Sequence, residues 1–68
     1  MDIDVRRAVI ANLNGATNDD VRKTITDALS TGEEIVLPGL GVLFELLWKK
    51  GSIDQQNQII QSLVESLQ

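Results

Sequence analysis

The stretch from Gly32 to Gly51 limits what this chain can fold into, because it holds the only Pro, Phe and Trp (Pro38, Phe44 and Trp48) and the densest run of large apolar side chains. Leu40, Leu43, Phe44 and Leu47 fall at i, i+3, i+4, i+7. Val42 and Leu46 add a second apolar flank and leave a polar strip of Gly41, Glu45 and Lys49. A helix that is apolar around most of its circumference belongs in the middle of a bundle or against a partner. Glu45 precedes Lys49 by one helical turn in the favourable order, and Lys49-Lys50-Gly51 is a good helix end. Pro38-Gly39 reads as a break, so the helix is predicted from Leu40. Pro38, Gly39 and Gly41 then form a tight turn in which at least one glycine takes φ > 0 or admits a close backbone. Ile35 to Leu37 is expected as a short extended piece.

A strand reading competes. Val42, Phe44, Leu46 and Trp48 alternate, and Pro38-Gly39-Leu40-Gly41 offers a hairpin turn, giving a β-hairpin at 35–46 with two helices before it and one after. Helix is preferred because the segment is rich in leucine, which is not β-branched, and because its basic ending before Gly51 is helical punctuation.

The flanking segments read as helices too. Val5, Val9, Ile10 and Leu13 have helical spacing, Asp2 or Asp4 is placed to cap the first turn, and Asn14-Gly15 stops it. Thr17-Asn18-Asp19-Asp20 opens a second helix with acids where the dipole favours them. Its stripe is Val21, Ile25, Ala28 and Leu29, and Gly32 ends it. Ser52-Ile53-Asp54-Gln55 is a capping box for a last helix whose stripe is Ile59, Ile60, Leu63, Val64 and Leu67. The fold expected is all-α, one small domain over residues 1–68, with about four short helices around an apolar central one.

Sixty-eight residues bury only about 60% of the unfolded surface, so stability is marginal unless the chain associates. The absence of Cys and His removes disulfides, thiolate sites, the commonest metal ligand and the usual neutral-pH acid or base. The net charge of −4 argues against a generic grip on phosphate backbones. The acidic start Met1-Asp2-Ile3-Asp4 is unlike a secretory signal, which leaves the whole chain expected as the mature protein inside the cell. The apolar run from Ile35 to Trp48 is shorter than the roughly 20 residues of a bilayer span.

Chemistry-bearing patterns are weak throughout. The basic doublets Arg6-Arg7, Arg22-Lys23 and Lys49-Lys50 read as solvated helix faces, and the apolar third helix cannot serve as a basic recognition helix. Asp19-Asp20 and Glu33-Glu34 lack the spacing of a calcium loop and read as helix-start acids. Pro38-Gly39-Leu40-Gly41 lacks the lysine and hydroxyl of a phosphate-cradling loop. The serines and threonines have no general base in any recognisable motif, so no catalytic residue, cofactor, metal or small-molecule substrate is expected.

Arg6-Arg7-Ala8-Val9-Ile10-Ala11-Asn12, then Gly32-Glu33-Glu34, then Leu37 to Glu45 with Trp48-Lys49, resembles the type I minor small acid-soluble spore proteins. The resemblance covers nearly the whole chain and is weakest from Ser52 onward. It implies a protein made in the forespore during sporulation and held in the spore core, without the DNA-coating role of the major α/β-type spore proteins. A second, weaker likeness runs from Ile25-Thr26-Asp27-Ala28-Leu29 through Gly32 to Leu40-Gly41 and Phe44-Glu45. It is similar to the helix-to-hairpin passage of bacterial histone-like proteins and implies a nucleoid-associated alternative. The basic arm and basic tail of such proteins are missing here, so DNA is not the expected partner.

The function expected is therefore non-enzymatic, acting through packing or protein association. The central helix carries more apolar surface than three short stripes can hide, and Val42, Leu46 and Trp48 are its expected open flank. That flank would meet a second copy or another spore protein.

Overall fold

The computed structural model describes residues 2–68, with side chains described from Val5 onward; the proposed caps Asp2 and Asp4 lie outside the described side chains. Four α-helices follow one another: α1 (Asp2–Leu13), α2 (Asn18–Thr31), α3 (Leu37–Lys50) and α4 (Ile53–Ser66), with a 3₁₀ turn over Glu34–Val36. There is no strand among the described residues, so the hairpin alternative at 35–46 is set aside and the fold is an all-α small bundle.

Local chemistry explains most boundaries. Thr17 caps α2, accepting from the Asp20 N–H at 3.2 Å while Asp20 Oδ2 accepts from the Thr17 N–H at 3.3 Å. Ser52 and Gln55 repeat the box on α4 at 3.2 and 2.8 Å. Gly32, at φ 65°, closes α2 in the left-handed conformation that other residues adopt only at a cost, and Gly15 does the same after α1 at φ 78°.

The entrance to α3 differs from expectation. Ile35 is not extended: Glu34–Val36 is a 3₁₀ turn that runs into the helix, and α3 begins at Leu37. Pro38 stands in the first turn, where its missing N–H removes no intrahelical bond and its fixed φ suits the helix. Leu37 adopts φ −60°, ψ −41° although a following proline ordinarily disfavours that region. Gly39 and Gly41 are helical, and neither has positive φ. The tight turn expected at Pro38, Gly39 and Gly41 is therefore the first part of a helix. No close approach demands glycine here either: a β-carbon at Gly39 would meet the Val9 side chain of α1 at 3.8 Å, an ordinary contact, and one at Gly41 would meet nothing within 4 Å.

Packing is sparse. α1 lies against α3 and the 3₁₀ turn runs directly into α3, while α2 and α4 approach the other helices less closely. Val42, at 8% exposure, is the single buried side chain among the described residues. The radius of gyration is 13.0 Å, against about 11 Å for a close-packed chain of this length.

Candidate functional site

Two surfaces organise the polar and apolar side chains that the sequence singled out. The first is the seam between α1 and α3. Arg6 donates from Nε to Glu45 Oε2 at 2.8 Å and from Nη2 to Glu45 Oε1 at 2.9 Å, a two-pronged bond between residues on different helices. Lys49, one turn beyond Glu45, brings its Nζ to 3.8 Å from Oε2. Hydrogen bonding from Arg6 is the main reason the Glu45 carboxyl sits below the usual carboxylate range. Partial desolvation works against it, and the charges of Arg6 and Lys49 add to it. A carboxylate fixed in its charged form between two cations is a poor proton acceptor at neutral pH, so the seam is a clamp and not a catalytic base. The sequence pointed only to the Glu45–Lys49 pair. The stronger Arg6 partner is 39 positions away, and the one signal for it was a carboxylate in the narrow polar strip of an otherwise apolar helix.

Val42 belongs to this seam. It shares a small cleft with Val5 and Arg6 of α1 and with Pro38 and Glu45 of its own helix. It is therefore taken up by the chain's own packing and cannot contribute to an open flank together with Leu46 and Trp48. Leu46 remains 40% exposed, and Trp48 is half-buried with its ring stacked on Phe44, centroids 5.9 Å apart and planes 26° from parallel.

The second surface is a groove between α3 and α4, lined by Phe44 and Leu47 on one side and by Ile59 and Leu63 on the other, with Gln58 and Ser62 at its rim. Three of its four apolar residues are exposed, Phe44, Leu47 and Leu63 at 43%, 49% and 45%, and Ile59 is half-buried. One hydrogen bond fixes the angle at its closed end, from Gln56 Nε2 to the Trp48 carbonyl at 2.8 Å.

Two of the basic doublets meet only through the carboxylate that neutralises them, since Arg6 and Lys49 both reach Glu45, and the third stays on α2. Arg6 is engaged with Glu45, Lys23 with Asp27 of its own helix at 3.2 Å, and Lys49 with Glu45, so each basic doublet commits one member to a carboxylate. Asp20 closes the α2 capping box, and Glu34 opens the 3₁₀ turn. Among the described residues no group of His, Cys, Asp or Glu is placed to hold a metal ion, and no helix is long and apolar enough to cross a membrane.

Residues 3–67 match the family described as small, acid-soluble spore protein I. A protein of that name from Bacillus velezensis is 49% identical over 63 residues, covering 93% of this chain and 89% of the relative. Others from Bacillus cereus and Bacillus anthracis are each 43% identical over 67 residues, covering 98% of this chain and 97% of theirs. No solved structure matches the chain. With nearly its full length aligned to these relatives, the chain belongs to the small, acid-soluble spore protein I family, a family of spore proteins.

Proposed function

We propose that this chain is a non-enzymatic protein of the spore core, made in the forespore during sporulation, which acts by associating with protein through helix faces that it cannot cover itself. One observation carries the reading. A chain in which Val42 is the single buried side chain among the described residues, and which leaves Phe44, Leu47 and Leu63 nearly half exposed, has placed its apolar residues outward. Exposed apolar surface of this kind marks contact with another macromolecule. The chemistry of the seam supports the non-enzymatic part, because its one perturbed carboxylate is shifted away from the range useful for proton transfer. A nucleic-acid role draws no support from the surface: the net charge is −4 and the basic doublets are spread over three helices with carboxylate partners.

The test is made in sporulating cells. A photo-crosslinking amino acid at Leu47 is expected to yield protein adducts on irradiation of purified dormant spores, whereas the same group at Asn57, on the far side of α4, yields few. Chemical removal of the coat is expected to leave the protein behind, with release only on rupture of the core. Loss with the coat fraction would refute the core location, and absence of any protein adduct from Leu47 would refute the associative role.

A further inference from the structure

We propose that the occupant of the α3–α4 groove is a second copy of this chain, seated across a two-fold axis so that each α4 fills the other's groove. The proposal rests on the associative reading above and names its partner.

Area is the first argument. The chain exposes 5733 Å², whereas a folded monomer of its mass exposes about 4,200 Å². The excess is therefore roughly 1,500 Å² per chain, and a stable dimer needs roughly 800 Å² from each partner. The surplus is enough to build a dimer interface, and it explains why the radius of gyration lies above that of a closed monomer of this length.

Shape and charge then select the partner. One surface offers both a groove wall on α3, made by Phe44 and Leu47, and a ridge on α4, carrying Ile59 and Leu63. A face with both parts is self-complementary, as a two-fold contact requires. The groove is lined by apolar, Gln and Ser side chains with no charged residue among them. Two chains of net charge −4 can therefore meet there without placing like charges in contact. A strongly charged partner would find no complementary group. The apolar cleft formed by α1, α2 and the start of α3 is the poorer candidate, because apart from the exposed Ile35 and Pro38 its apolar wall, with Val9, Leu40 and Leu43, is already half-buried by the chain itself.

Sedimentation of the purified full chain over micromolar to millimolar concentration tests this. The expected species has twice the 7.5 kDa mass of the chain. Gln58→Lys combined with Ser62→Lys puts charge on the groove without removing an apolar contact. It is expected to weaken the dimer by roughly tenfold or more, since an unpaired charge would have to be buried, while circular dichroism stays that of the parent helix content. Asn57→Lys, facing away, is expected to leave association unchanged. A 7.5 kDa species throughout the range, or a dimer indifferent to the groove lysines, overturns the proposal. A monomer that still gives adducts from Leu47 with a different protein in spores would sink the dimer and leave the associative function standing.

Discussion

Arg6 and Glu45 are joined by two hydrogen bonds of 2.8 and 2.9 Å across the seam between α1 and α3, and this is the main polar tie between the first helix and the central one. α1 is not otherwise fixed in direction by any short loop to α3, since α2 and the 3₁₀ turn intervene. The pair thus sets the register in which Val5 and Val9 meet the start of α3. Its exposure, 49% for Arg6 and 29% for Glu45, means that salt screens it and that its value lies in orientation more than in energy.

The pair makes stability depend on pH in one direction. Glu45 has a lower pKa folded than unfolded, so the folded state favours the ionised carboxylate. Its contribution is complete above the unfolded value, about 4.3 for a glutamate, and is lost as pH falls through the depressed folded value. Glu45→Gln is expected to lower the thermal midpoint at pH 7 and to flatten the fall between pH 5 and the acid limit. Arg6→Gln should do the same, and the double variant should cost less than the two single changes added. Additive losses would show that the two residues act independently.

Gly39, Gly41 and Gly32 provide a contrast. Gly41 is helical and a β-carbon there meets nothing within 4 Å, so Gly41→Ala is expected to stabilise the chain, by about 0.5–1 kcal/mol. That corresponds to a rise of roughly 2–8 °C in the midpoint for a chain of this size. Gly39→Ala should be nearly as favourable, with Val9 at ordinary contact distance. Gly32→Ala should go the other way by about 1 kcal/mol, because its φ of 65° is left-handed. Thermal scans of the three variants decide the matter, and a fall at Gly41 would contradict the helical start of α3.

Caps and one side chain hold α4. Ser52→Ala removes the hydroxyl that accepts from the Gln55 N–H, at an expected cost of about 1 kcal/mol. Gln56→Ala frees the Trp48 carbonyl, which a part-buried amide satisfies at 2.8 Å, at a similar cost of about 1 kcal/mol. Hydrogen exchange should show the loss concentrated in α4, with α1 and α2 little changed. Uniform loss across all helices would mean that α4 is more tightly coupled to the bundle than its few contacts indicate.

Much of this was legible from residues alone, and the pattern of success is physical. Thr17, Ser52, Gly15 and Gly32 act through bonds and dihedrals within a few positions, so their roles are written in local order. Pro38 was misread because proline has two local meanings, a break or a first-turn residue, and the choice was made by the preceding Leu37 entering helical geometry from the 3₁₀ turn. Gly51 ends α3 as expected, yet in extended geometry at φ −71° and not left-handed. Its small size matters because a β-carbon would come to 3.1 Å from the Leu47 carbonyl and 3.2 Å from the Gln55 side chain. Arg6–Glu45 and the angle between α3 and α4 were not legible, because they depend on how helices cross, which periodicity does not encode.

The different fates of Val42 and Leu47 give the last expectation. Both are aliphatic residues of α3, but Val42 is 8% exposed in the seam with α1 and Leu47 is 49% exposed on the wall of the α3–α4 groove. Truncating Val42 to alanine removes two buried carbon atoms and leaves a gap that α1 can fill only by shifting, so roughly 1.5–2.5 kcal/mol should be lost. Leu47→Ala removes three atoms that are already half in water, and at concentrations too low for association its cost should stay below about 1 kcal/mol. Raising the concentration should reverse the order of interest. The parent and Val42→Ala chains gain stability with concentration as any associating protein does, while Leu47→Ala gains less because its contact surface is reduced. Urea titrations of the three chains at low and high micromolar concentration read both effects. Equal losses at low concentration would return Val42 to the open flank, and a concentration dependence shared by all three would remove Leu47 from it.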